Sequence, residues 1–197
     1  MGNTPGIYMN GPAEDNGIRM SREPIDARHS PRNIEDLCHN WRNFHAKNEQ
    51  AMYPWATRFV MGFPLPDWQR DFVWTDEQQK RFIISVWSRA DLGAYMVNEW
   101  EMKDGVCFDR YSNVLLDGQQ RLTTIERYLR DAFAVDDTTG TPRLWSHVHR
   151  REQRRFMNVT FTRSQVKTFD ERELRTIYDL RNFTGTPHTE SERALPR

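Results

Sequence analysis

Strands interleaved with helices predict a mixed α+β fold, and three observations carry that prediction. Ile34, Leu37, Cys38, Trp41 and Phe44 recur at helical spacing and make one apolar stripe. Thr75-Asp76-Glu77-Gln78 has the form of a capping box, in which the threonine hydroxyl accepts from an orphan amide while the glutamine side chain reaches back. Val114-Leu115-Leu116 is a short apolar run with the character of a buried strand, and Asp117-Gly118 breaks it.

The remaining elements follow in order. Residues 1–30, rich in Gly, Pro, Asn and charge and without periodicity, are expected to form a flexible arm, leaving residues 31–197 as the domain. The first helix ends in the polar Lys47-Asn48-Glu49-Gln50. Arg58 to Leu65 reads as an extended segment, and Pro64 confines it to an edge because proline donates no ladder hydrogen bond. Behind the capping box, Phe82, Ile83, Val86 and Trp87 form the buried face of a helix reaching about Arg89. Leu92 to Trp100 is expected as a strand, Asp104-Gly105 as a turn, and Val106 to Tyr111 as the returning strand. A helix from about Gln120 to Phe133 turns Leu122, Ile125, Leu129 and Ala132 inward. Residues 147–155 read as helical, Phe156 to Phe161 as a strand, and Asp170 to Asn182 as a helix with Leu174, Ile177 and Tyr178 inward, joined by Leu180 or Phe183.

Composition narrows the function. In 197 residues, 37% are hydrophobic and 12% aromatic, enough for a proper core. Basic and acidic residues both number 28, so wholesale coating of DNA by charge is disfavoured and any nucleic-acid contact must come from a local patch. Arg150-Arg151-Glu152-Gln153-Arg154-Arg155 is that patch, although a solvated helix face explains it as well. Cys38 and Cys107 lie far apart without metal spacing, which suits a reducing cytosol. Cys107 reads as a small buried residue and His147-Val148-His149 as polar surface. With no apolar run of membrane-spanning length, a cytoplasmic protein is expected.

The chemistry concentrates at Asp117-Gly118-Gln119-Gln120-Arg121. Glycine at 118 lets the chain turn sharply and lets a ligand approach. The amides that follow open a helix at the positive end of its dipole, a ready-made anion site. Arg121 adds a planar fork suited to phosphate, and Asp117 is a candidate metal ligand or general base. The plainer alternative is that Asp117 caps the helix and Arg121 makes a surface pair.

The company this motif keeps extends the reading. Asp117-Gly118-Gln119-Gln120-Arg121-Leu122-Thr123-Thr124-Ile125 resembles a motif of the ParB/sulfiredoxin superfamily, in the family that supplies the N-terminal domain of GmrSD-type restriction enzymes and related phage-defence proteins. Trp68-Gln69-Arg70-Asp71-Phe72-Val73-Trp74 resembles that family's upstream box, and Asn182-Phe183-Thr184-Gly185-Thr186-Pro187 its closing stretch. Asp91-Leu92-Gly93 departs from the family's Pro-Ile-Gly, and the sequence ends at Arg197, before the helical region and HNH nuclease domain of the restriction enzymes. A stand-alone version or one subunit of a split system is therefore expected.

The resemblance implies a small mixed sheet with packed helices and a pocket for nucleotide phosphates. In it Arg70 pairs with phosphate and Gln69 orients it. Gly118, Gln119, Gln120, Arg121 and Thr123 cradle the polyphosphate, Asp117 lies near a Mg²⁺ or Mn²⁺ ion or the attacking group, and Asn182 closes the pocket. Trp68 is the candidate for base stacking. The implied activity is a metal-dependent nucleoside triphosphate hydrolase or phosphotransferase linked to DNA metabolism, DNA modification or phage–host defence, with Asp117, Arg121 and Arg70 catalytic. The alternatives are a DNA nuclease and a non-catalytic nucleotide- or partner-binding switch. Nucleotide, DNA, a second copy or a partner subunit are the expected associates. The turn lacks the cysteine of sulfiredoxin, which disfavours sulfinic-acid repair.

Overall fold

A computed structural model describes residues 25–182, together with Gly17. The chain runs β1 (Arg28–Ser30), α1 (Ile34–Ala46), β2 (Arg58–Val60), β3 (Phe63–Leu65), α2 (Asp76–Trp87), β4 (Ala94–Asn98), β5 (Leu115–Asp117), α3 (Gln119–Leu129), β6 (Val135–Asp136), β7 (Pro142–Arg143), α4 (Arg150–Met157), β8 (Thr162–Val166) and α5 (Glu171–Asn182). Four strands form one mixed sheet in the order β1-β8-β4-β5, and β2-β3 and β6-β7 are separate hairpins. Within the sheet β8 runs parallel to β4, while β1 on β8 and β5 on β4 are antiparallel. This is the α+β class that the interleaved pattern predicts.

The sheet is apolar on both faces, which explains the unbroken run at Val114-Leu115-Leu116. Successive strand residues point to opposite sides. Tyr95, Val97 and Leu115 accordingly join a core with Ile34 and Leu37 of α1, Ile83 and Val86 of α2, Leu122 and Ile125 of α3, and Phe156 of α4. Met96, Leu116 and Val166 face the other way and meet Leu174 and Ile177 of α5. Leu115 and Leu116 are both fully buried, each contributing about 1.5–3 kcal/mol over exposure. Asn98 is also fully buried, yet satisfied: its amide donates to the carbonyls of Tyr111 and Thr168 and accepts from the Thr168 amide.

Both leading helices begin as capped. Thr75 and Gln78 exchange the reciprocal bonds of a capping box, and Asn33 and Asp36 form a second one at α1. The expected extended segment at 58–65 folds back on itself at Met61-Gly62, both with positive φ, so that Pro64 sits opposite Phe59 in a two-stranded hairpin.

Four expectations change. Arg28–Ser30, placed in the arm, is an edge strand of the main sheet; the rest of the arm, like Phe183, lies almost wholly outside the described residues. Val106 to Tyr111 makes no strand beyond one bridge between Met102 and Phe108, because the Asp104 carboxylate accepts from the Val106 and Cys107 amides and curls the backbone. α3 stops at Leu129 rather than Phe133, since Asp131 takes a left-handed conformation at φ 60°. Phe156 to Phe161 is not a strand either. Phe156 is the buried anchor of α4, and the strand starts later, at Thr162.

The two cysteines differ in environment. Cys38 is buried, contacts the Met157 sulfur at 3.7 Å, and burial pushes its thiol up to about 11. Cys107 is half-buried in the irregular loop, not in a strand as expected. An aromatic disulfide reagent near pH 8 is expected to modify Cys107 in the native protein and Cys38 only after denaturant is added. Rapid reaction of both thiols in the native state would contradict this placement.

Candidate functional site

Three stretches distant in sequence converge on one cleft of about 140 Å³, lined by Gln69, Arg70, Trp74, Asp117 to Arg121, Tyr178 and Asn182. Asp117 ends β5, Gly118 makes the turn, and α3 starts at Gln119. Gly118 has φ 103°, a conformation that side chains rarely adopt, and a Cβ there would stand 2.7 Å from the Cβ of Tyr95 on the neighbouring strand. The turn is thus pressed against the sheet, and no side chain caps α3. Gly118 to Arg121 line the cleft, so the uncapped start of α3 borders it.

The Gln69-Arg70 side of the cleft is held by two splints. Arg58 donates to the carbonyls of Pro66 and Gln69 at 2.9 and 2.7 Å and pairs with Asp71 at 2.8 Å. The buried Gln120 amide accepts from the Val73 and Trp74 amides at 2.9 and 3.2 Å and donates to the Asp71 carbonyl at 3.1 Å. Gln79, also buried, donates to the Trp74 carbonyl and accepts from Arg127, whose guanidinium lies over Phe72. Residues 71–74 form no helix or strand, and side chains instead meet the Asp71 and Trp74 carbonyls and the Val73 and Trp74 amides.

What remains open is informative. Arg70 is exposed and has no ion-pair partner among the described residues. Gln69 is 5% exposed, and its Oε1 is buried without a hydrogen-bond partner. Gln119, buried beside it, has no side-chain partner among the described residues.

Arg121 is placed differently from a free phosphate fork. Its guanidinium donates to the carbonyls of Leu92 at 2.6 Å and Ala94 at 2.9 Å, reaches Asp117 at 3.4 Å and lies over the Phe161 ring. Burial lowers its pKa, opposed by the Asp117 carboxylate. Within Asp91-Leu92-Gly93 it is the glycine shared with Pro-Ile-Gly that meets this contact: Gly93, at φ 68°, passes the Arg121 guanidinium so closely that a Cβ would lie 3.2 Å from it. Asp117 is shared, its other oxygen accepting from Arg181 at 2.9 Å. Arg181 carries no role in the sequence reading; its one signal was adjacency to Asn182.

Of the other expected site residues, Asn182 reaches the cleft, its amide donating to the Tyr178 carbonyl. Thr123 lies one turn further along α3 and does not line it. Trp68 stands outside too, its edge against Tyr178 and one face under the Arg175 guanidinium. The aromatics on the cleft are Tyr178 and Trp74, the latter half-buried and edge-packed on Phe82.

Among the described residues Asp117 is the one carboxylate on the cleft, and both its oxygens already accept from guanidinium groups. Among the described residues no group of three or more His, Cys, Asp or Glu side chains converges. This donor set does not fit a divalent ion held by protein alone, since Mg²⁺ asks for one or two free carboxylates besides phosphate and water.

The splints make two substitutions costly. Gln120→Ala orphans two amides and a carbonyl and is expected to lower stability by about 2–4 kcal/mol. Gly118→Ala adds a clash to a forbidden φ and is expected to cost at least about 2 kcal/mol. Urea unfolding of both variants checks this, and wild-type midpoints would refute the placement of either residue.

No curated protein and no solved structure gives a significant match. The family described as "GmrSD restriction endonuclease, N-terminal domain" matches residues 56–194, which takes in all three stretches that build the cleft. The chain belongs to that family, and so to the domains of restriction and phage defence.

Proposed function

We propose that the cleft binds the phosphates of a nucleoside triphosphate and that the domain hydrolyses the nucleotide or transfers its phosphoryl group in the service of restriction. The observation that carries this is the unpaired Arg70 guanidinium facing the uncapped start of α3 across one small cleft. Backbone amides and a free guanidinium together stabilise negative charge on phosphate oxygens. A volume of about 140 Å³ admits a phosphate group rather than a whole nucleotide, leaving the base outside near Trp74.

In this reading Arg70 contacts the phosphate directly, and positioning plus charge stabilisation supply most of the rate, as phosphoryl transfer requires. Arg121 and Gln120 position the turn and the Gln69-Arg70 segment through their backbone contacts. Asp117 holds Arg181 beside the cleft, within reach of an incoming phosphate. Any divalent ion would have to be supplied with the nucleotide, since the described residues of the cleft offer no free carboxylate to hold one.

A second reading, DNA cleavage, draws its support from the restriction-endonuclease name of the family. The same cleft would then grip a backbone phosphate.

Thermal-shift measurements with each ribo- and deoxyribonucleoside triphosphate and Mg²⁺ test the first reading. A nucleotide at about 100 times its dissociation constant raises stability by about 2.7 kcal/mol. Arg70→Ala is the informative variant, because exposed Arg70 supports nothing else; the shift and phosphate release are expected to vanish while the unliganded midpoint stays put. Arg121→Ala cannot serve, since it disturbs the fold. Absence of any nucleotide shift, together with Arg70-dependent nicking of plasmid in Mg²⁺ or Mn²⁺, would replace this reading with the nuclease. A shift without turnover would leave a nucleotide-responsive switch.

A further inference from the structure

The helix α4 presents four arginines in eight residues, and the cleft uses none of them. Arg150, Arg151 and Arg154 are exposed and have no ion-pair partner among the described residues; Arg155 pairs with Glu152 at 2.9 Å. At 3.6 residues per turn the four side chains fan over about 140° of the helix surface. Phe156, fully buried in the core, anchors the opposite side. The fan therefore points outward as one block.

The arrangement is electrostatically unfavourable by itself. Arg150 and Arg151 occupy the first turn, where the helix dipole is positive and acidic residues are favoured. Arg150 and Arg154, like Arg151 and Arg155, are like charges four apart on one helix, which repel. One carboxylate on the helix, Glu152, offsets this, and His149 caps the helix, its Nδ1 accepting from the Arg151 amide at 3.2 Å. A solvated helix face ordinarily mixes signs; this one concentrates one sign in a chain whose formal net charge is zero.

We propose that the outward face of α4 is a docking surface for the phosphate backbone of double-stranded DNA. Three free guanidinium groups spread along more than one turn match an anion of repeated, closely spaced charge better than a single phosphate. A DNA duplex carries one charge per about 1.7 Å of axis, and neutralising it releases bound counterions. The planar fork of arginine suits phosphate oxygens in particular. Contacts to the backbone carry no sequence preference, so the surface supplies affinity and orientation. It does not depend on the cleft: no α4 residue lines it, and each can be tested without the other.

The test is fluorescence anisotropy of a short labelled DNA duplex at salt concentrations from about 50 to about 200 mM, for the wild type and the triple variant Arg150→Gln, Arg151→Gln, Arg154→Gln. Glutamine keeps helix propensity close to that of arginine, and an unchanged thermal midpoint verifies folding. The variant is expected to bind roughly tenfold or more weakly at low salt, and the slope of log affinity against log salt to fall by roughly 0.9 per arginine removed. Its nucleotide-induced thermal shift is expected to equal that of the wild type, so failure here and failure of the cleft reading are told apart. Equal affinity and slope in both proteins would overturn the proposal. So would α4-dependent binding of labelled polyglutamate by a protein that does not bind the duplex, which would point to an acidic protein partner.

Discussion

The cleft exists because one buried side chain, that of Gln120, substitutes for a missing β-ladder. Residues 71–74 run past the start of α3 without strand or helix pairing, half-buried at Phe72 and Trp74, and side chains supply the hydrogen bonds that a ladder would. The Gln120 amide accepts twice and donates once to that stretch, and Arg58 grips it from the other side. This fixes where Gln69 and Arg70 stand relative to the Asp117-Gly118 turn. Without the splint, the two halves of the site would be connected only through the hairpin and core beneath them.

Charge is arranged around the same turn with economy of donors. Asp117 is neutralised from two directions, by Arg121 from its own helix and by Arg181 from α5. Arg121 is in turn tied to two strand-entry carbonyls, leaving Arg70 as the exposed cation on the cleft without an ion-pair partner among the described residues. The division is between groups that hold the turn in shape and groups that remain available to a ligand. Motif residues fall on both sides of that line.

That division marks what the sequence could and could not disclose. The fold class was legible from helical stripes, a capping box and one doubly apolar strand, all local patterns. Convergence of Gln69-Arg70, the Asp-Gly turn and Asn182 was implied by the family resemblance of the three motifs. The roles of Gln120 and Arg121 were not, because their partners are backbone atoms of Asp71, Val73, Trp74, Leu92 and Ala94, and carbonyls and amides leave no trace in side-chain spacing. Nor did spacing show that Trp74 lines the cleft and Trp68 does not: Trp68 sits in a turn and packs on Arg175 and Tyr178, whereas Trp74 packs on Phe82. The strand misplaced at Phe156 shows the reverse error, a buried aromatic read as sheet when it was the root of a helix.

The placement of β8 has a further consequence for how the molecule comes into being. This strand lies between β1 and β4, so Arg28 pairs with Gln165 across most of the described chain, and the central strand of the sheet is the last to be synthesised. A ribosome-bound intermediate that has completed α3 still displays β4 with one unpaired edge and β1 with no partner at all. Such long-range pairing slows folding and leaves strand edges open to other chains in the interval. Assembly of this domain is therefore a late event, reached only when β8 emerges and threads the sheet together.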